Sequence, residues 1–149
     1  MGEDVTVKVL QLDPDLELPA YARDGDAGAD LVAREGAIIK AAGGRALVPT
    51  GIAIELPAGW AGLILPRSGL ALRHGVTCLN APGLIDSGYR DELKVILVNH
   101  DPSADYEVHR GDRIAQLVVQ RVASVSWEPA VSLSSSERGT NGLGHSGYR

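Results

Sequence analysis

The chain has 149 residues, 44% hydrophobic and 22% charged, the proportions of a single soluble domain with a core of its own. Its net charge of −5 excludes a general nucleic-acid or membrane-surface binder, although a few local arginines can still hold phosphate. The single cysteine, Cys78, excludes an internal disulfide and a cysteine-only metal cluster, and the absence of Phe leaves the core to Val, Leu, Ile and Ala.

The N-terminus, Met1 to Asp4, is acidic and has no apolar signal core, and no run reaches membrane-spanning length. The expected location is therefore cytoplasmic. Val5 to Val9 alternates apolar and polar residues, as a half-buried strand does. The segment Asp24-Gly-Asp26-Ala-Gly28-Ala-Asp30-Leu31 reads as a compact acidic turn. It admits two readings, a carboxylate near a hydrated Mg2+ or a solvated loop with local Asp turn bonds. Ile52 to Leu56 alternates again, and Gly62 to Leu65 is continuously apolar, as in a strand buried on both faces.

Pro66-Arg67-Ser68-Gly69 joins that strand to a short helix over Ser68 to His74, with Ser68 as N-cap and Gly75 as stop. Arg67 offers a fork of donors matched to phosphate oxygens, and Gly69 lets a ligand approach the backbone. A capped turn with a solvated Arg is the alternative. Between Asn80 and Glu92, residues Pro82, Gly83 and Gly88 bend the chain, which predicts a hairpin projecting from a sheet. This segment carries a carboxylate, Asp86, and an aromatic ring, Tyr89, ahead of an apolar strand over Leu93 to Val98. An acid so placed reaches a bound ligand without joining the core, and Tyr89 can lay a flat face against it. A plain surface turn is again the alternative.

A strand is expected from Val108 onward, and Gly111-Asp112-Arg113 opens another over Ile114 to Val119. Gln116 within it faces a ligand or another subunit, or is a satisfied core amide. His74, His100, His109 and His145 are scattered, with neither zinc-ligand spacing nor a Ser/His/Asp arrangement. From Ser132 the composition turns to Ser and Gly, which predicts an arm over 132–149, mobile without ligand, beyond a β domain over 1–131. Its Arg138-Gly139 to Gly147 run does not fit the P-loop pattern. Many short strands, frequent turns and one helix indicate an all-β sandwich or barrel.

Taken in order, five segments resemble the five motifs of the trimeric dUTP pyrophosphatases. They are Ala27 to Leu31, Pro66 to Ala71, Asn80 to Glu92, Gly111 to Leu117, and Arg138 onward. The match runs from about Pro19 to Gly147, and its specificity lies in five motifs in register. The resemblance implies a jelly-roll-like β fold with one short helix, a homotrimer with active sites shared between subunits, and a C-terminal arm that closes over them. It implies hydrolysis of dUTP to dUMP and pyrophosphate with Mg2+, which limits uracil in DNA and supplies dUMP for dTMP synthesis. No nucleic-acid or membrane partner is expected.

By the same resemblance, Asp86 is the general base that activates water for attack on the α-phosphorus, and Tyr89 packs on the deoxyribose to exclude a 2′-hydroxyl. Asn80, Leu84 and Ile85 surround the uracil, chiefly through backbone. Arg67, Ser68 and Gly69 hold phosphates, with Lys94 and Gln116 nearby, Asp30 contacts metal-bound water, and Arg138 clamps the γ-phosphate. Leu143 stands where the family commonly has an aromatic over the uracil, which leaves His145 and Tyr148 as other covers. Two rivals remain. A dCTP deaminase of the same fold needs an acid at the cytosine ring, for which Glu92 is the nearby candidate. A catalytically silent trimeric jelly-roll module needs none of Asp86, Arg67 and Arg138.

Overall fold

The computed structural model describes residues 4–147. Among them, β1 (Lys8–Gln11), β2 (Ala29–Val32), β3 (Ala37–Ile39), β4 (Arg45–Pro49), β5 (Ile52–Glu55) and β6 (Trp60–Leu65) precede the helix α1 (Ser68–His74). Then come β7 (Val76–Cys78), β8 (Gly83–Ile85), β9 (Lys94–Asn99), β10 (Tyr106–Val108) and β11 (Arg113–Arg121). The strands pair in the orders β2-β11-β6-β8, β4-β9-β7, β1-β5 and β10-β3, all antiparallel. The result is an all-β jelly roll with one short helix.

The core is aliphatic, as a chain without Phe requires. Leu31, Ile39, Val48, Ile54, Val76, Leu93, Leu97, Val108 and Ile114 are all buried and pack together. Each contributes about 1.5–3 kcal/mol by leaving water. Cys78 lies in this cluster, and burial pushes its thiol up to about 11, so it serves as a small core residue. Asn99, a fully buried amide, donates to the carbonyls of Ile39 (3.0 Å) and Ala104 (2.8 Å) and accepts from the Asp101 N–H (2.9 Å). No described aromatic ring is buried, and Trp127 is 88% exposed.

Several sequence expectations need correction. The first strand starts at Lys8, so only the end of the Val5 to Val9 run belongs to it. Val108 ends β10 instead of opening a strand, because the Asp112 carboxylate accepts the His109 N–H (2.8 Å) and closes a turn there. The acidic turn gives way to β2, which holds Asp30 in an extended backbone. The helix spans the expected residues, but Arg67 occupies the N-cap position and no side chain caps it, so Ser68 is the first helical residue. Gly75 does end α1, in the left-handed region at φ 64°, where a Cβ would also come within 2.9 Å of the Asp101 nitrogen.

The largest correction concerns the segment from Asn80 to Glu92. It is not a hairpin folded on its own return strand. β8 pairs with β6, whereas β9 pairs with β4 and β7, so the segment crosses between two sheets. Regular structure ends at Arg121, and residues 122–147 are all exposed after the Val122 N–H bonds the Gly59 carbonyl at 2.9 Å.

Candidate active site

Strand β11 lies between β2 and β6, and its register places Gln116 opposite Asp30 on one side and Leu65 on the other. A register shift between Arg113 and Ala115 lets Ile114 and Ala115 both be buried and turns Gln116 to the half-exposed face. Gln116 donates a long bond to the Pro66 carbonyl (3.4 Å), just where β6 turns into α1. Beside it, a Cβ on Gly28 would stand 2.9 Å from Gln116 Oε1, so only glycine leaves that amide in place.

These elements enclose a cleft of ≈ 330 Å³ lined by Asp26, Gly28, Asp30, Arg67, Ser68, Gly69, Arg73 and Gln116, among others. Arg67 Nε lies 3.4 Å from Asp30 Oδ1, and its Nη1 donates to the Arg113 carbonyl (3.2 Å). Arg113 approaches the other Asp30 oxygen at 3.8 Å. Asp30, the carboxylate expected near metal-bound water, therefore sits between two guanidiniums. The structure thus brings together Asp30, Arg67, Ser68, Gly69 and Gln116 from three distant stretches of sequence. Sequence reasoning missed Arg73 and His74, which line the same cleft, although the i, i+4 spacings Gly69 to Arg73 and Leu70 to His74 set each one turn beyond a motif residue.

Asn80, Leu84, Ile85, Asp86, Tyr89 and Lys94 lie outside this cleft. β8 is the edge strand of its sheet, so its outer backbone groups have no strand partner among the described residues. Leu84 is exposed on it, while Ile85 packs its side chain into the core and offers only backbone outward. Asp86 is exposed, and no hydrogen bond or ion pair engages its carboxylate among the described residues. The Tyr89 N–H closes a turn on the Asp86 carbonyl (3.1 Å), and the Tyr89 hydroxyl donates to the Glu92 carbonyl (3.0 Å), which fixes the ring. Lys94 pairs with Asp91 at 3.1 Å; the hydrogen bond to Asp91 raises the ammonium pKa, and its remaining donors face solvent.

Glu92 is engaged elsewhere through one carboxylate oxygen. Its Oε1 accepts from the Gly51 N–H (2.8 Å) and from Arg34 (3.2 Å), and its side chain is only 12% exposed. Its bonds to Arg34 and Gly51 hold it toward the inside of the fold, which counts against it as the deaminase rival's acid.

The two halves of the candidate site are far apart within one chain. Ile85 pairs with Gly62, which puts Asp86 beside Ala61, whereas Arg67 follows the other end of β6. Six residue steps, from Ala61 along β6 to Leu65 and on through Pro66, separate them, at most about 20 Å at roughly 3.3 Å per residue. In the arm, Arg138 donates among the described residues to the Asn141 carbonyl alone (3.0 Å), and Leu143 and His145 are exposed. Tyr148 lies outside the described residues.

The dUTPase family model matches residues 15–147. The chain is 56% identical over 143 residues to the deoxyuridine 5'-triphosphate nucleotidohydrolase of Thermobifida fusca (strain YX), covering 96% of this chain and 79% of that one. Among solved structures, it is similar to the Staphylococcus bacteriophage 80alpha dUTPase with dUPNHPP, at TM-score 0.86 and 25% identity over 95% of this chain and 98% of that one. A mutant DUTPase from phage phi11 of S. aureus, described with a coordinated structural Mg(II) ion, has the same fold at TM-score 0.80 and 22% identity, over 88% of this chain and 100% of that one.

Proposed function

The chain belongs to the dUTPase family, and from that premise we propose that it hydrolyses dUTP to dUMP and pyrophosphate, as a homotrimer whose sites are shared between subunits. The observation that carries this reading is Asp86, an exposed and unpaired carboxylate up to about 20 Å along the strand from the phosphate-suited cleft. A single chain holds the two apart along β6. A second subunit's Asp86 segment set against the cleft of the first completes the site. Exposed apolar side chains such as Leu10, Ile38, Leu47 and Leu84 support burial of this surface against further copies.

In this reading the cleft holds the triphosphate. Arg67 exchanges Asp30 for phosphate oxygens, which its planar fork matches in pairs, and Ser68, Gly69 and Gln116 add neutral donors. Asp86 takes a proton from a water aligned with the α-phosphorus; the new P–O bond forms as the bond to pyrophosphate breaks, and dUMP keeps the added oxygen. Uracil is read by Asn80 and the free backbone edge of β8, where a close fit leaves no room for a 5-methyl group. Tyr89 packs on the deoxyribose. The arm over 132–149 folds over the bound nucleotide with Arg138 on the γ-phosphate and Leu143 over the base.

No group of three or more His, Cys, Asp or Glu among the described residues is placed to cage a metal. Mg2+ needs no such cage, because it would keep most of its waters and be held through the phosphates; Asp30 in the cleft would accept from one of those waters. When bound, Mg2+ withdraws charge from the phosphate oxygens. The cytoplasm, with its nucleotide pool, is the proposed location.

A subunit-mixing experiment tests the reading. Asp86→Asn alone should lower kcat on dUTP about 10²–10⁴-fold while retaining nucleotide binding, the usual cost of losing a general base. Asp86→Asn and Arg67→Gln proteins, unfolded together and refolded, should regain activity that neither has alone. Mixed trimers hold sites with Arg67 from one subunit and Asp86 from another. Activity no higher than the sum of the two parents would place both residues in one subunit and overturn the shared site. Pyrophosphate release across dUTP, UTP, dTTP and dCTP then fixes the substrate.

A further inference from the structure

Arg67, the cation that the phosphate motif provides, is already neutralised by Asp30 in this structure, and Arg113 approaches the same carboxylate. The cleft contains a second arginine with no such engagement. Arg73 lines the cleft on α1, and no described residue gives it a hydrogen bond or an ion pair. Its guanidinium folds back along the helix, and Nη2 lies 3.8 Å from where a Cβ on Gly69 would stand. The free charge therefore rests directly over the turn that carries Arg67, Ser68 and Gly69.

The helix that carries it is held in place. Leu70 packs against the core, and the His74 ring lies against Tyr106, with centroids 4.9 Å apart. The Arg73 side chain is left to move, at the exposed rim of a cleft whose Asp30 and Gln116 floor is half-buried. A guanidinium is weakly hydrated and binds phosphate oxygens through paired donors, so an unpaired one at a cleft rim is suited to an anion arriving from or leaving to solvent.

We propose that Arg73 is a phosphate-contacting residue that binds the pyrophosphate end of the nucleotide and of the product. The leaving group must depart through the open rim, and Arg73 is the uncommitted cation there. This inference rests on the assignment of the cleft to the triphosphate of dUTP. It separates two roles, with Arg67 at the half-buried floor and Arg73 at the exit.

The test is calorimetric titration of inorganic pyrophosphate, and separately of dUMP, into the full-length protein with Mg2+, for wild type, Arg73→Gln and Arg73→Lys. The expected result is a Kd for pyrophosphate at least tenfold weaker in Arg73→Gln, part of it recovered in Arg73→Lys, with dUMP affinity within twofold of wild type. The KM for dUTP should rise in parallel while kcat stays within threefold. Pyrophosphate affinity within twofold of wild type in Arg73→Gln would overturn the proposal. An equal loss for dUMP would also overturn it, by showing a general field effect instead of a contact. The titration does not depend on turnover. A wild-type protein inactive on dUTP would remove the proposed activity and leave the assignment of Arg73 to be decided by pyrophosphate alone.

Discussion

Replacing Gly28 with alanine tests whether the orientation of Gln116 matters to the site. Gly28 does not occupy the positive-φ region, so the substitution brings no backbone strain, only crowding. The new methyl would lie 2.9 Å from Gln116 Oε1 and 3.2 Å from its Cβ. The amide tip can swing away, but the Cβ is fixed to β11 and must be met by a shift of a few tenths of an ångström. Overpacking of this kind costs about 1–3 kcal/mol, with relief by the flexible tip placing it near the lower end. The reduced freedom of the unfolded chain offsets about 0.4–1 kcal/mol. The net change in Tm should therefore stay within about 4 °C. The larger effect falls on function, because the displaced amide loses its 3.4 Å bond to the Pro66 carbonyl beside Arg67. kcat/KM for dUTP should fall about tenfold, or ~1.4 kcal/mol in transition-state terms. Thermal unfolding and dUTP kinetics on Gly28→Ala, Gln116→Ala and the double variant form a cycle that should couple by about 0.5 kcal/mol or more. Additive effects, or unchanged kinetics in Gly28→Ala, would refute the reasoning.

Tyr89→Ala should raise UTP hydrolysis relative to dUTP, read as the ratio of kcat/KM values; an unchanged ratio would assign the ring to packing over its Glu92 bond. Truncation after Glu137 should leave nucleotide-free Tm unchanged and abolish most of kcat/KM, while Leu143→Phe should bind a non-hydrolysable dUTP analogue more tightly by adding a stacking surface. Equal analogue affinity across these proteins and wild type would refute closure of the arm. Asp13 is held below its ordinary value of 3.8, first by its hydrogen bond from Arg110, so the unfolded chain takes up that proton before the folded one. Its contribution is present above about pH 4–5 and lost as pH falls through the lowered value, so Tm measured from pH 6 to 3 should fall less steeply in Asp13→Asn; parallel curves would exclude this role.

Local chemistry was legible where punctuation was local. Helix α1 was readable because Pro66 precedes it and Gly75 ends it; the strand expected over Ile52 to Leu56 exists as β5, but Ile52, Ala53 and Ile54 are all buried, so the alternation expected there is absent. β2 was hidden by Asp and Gly residues that suit turns; it exists because Gln116 and its neighbours on β11 supply the partner. The pairing of β8 was illegible for a related reason. Pro82, Gly83 and Gly88 mark bends but not the sheet to which the chain goes next, and β6 lies about 20 residues earlier. The site residues were named individually, yet the separation of Asp86 from Arg67 is a property of strand register, which no single segment encodes. The commitment of Arg67 to Asp30 is likewise a contact between distant stretches.

The aliphatic core has a spectroscopic consequence. Trp127 stands in open water just beyond the last strand, and Trp60 is half-covered, with the Arg121 guanidinium 5.5 Å from its ring centroid. The native emission should therefore already lie toward the red, as for indole in solvent, and should change little when the β domain unfolds. Intrinsic fluorescence becomes a reporter of the segment leading into the arm instead of the barrel. A shift to shorter wavelength on adding nucleotide would mark that segment gaining cover while the rest of the molecule stayed spectroscopically silent.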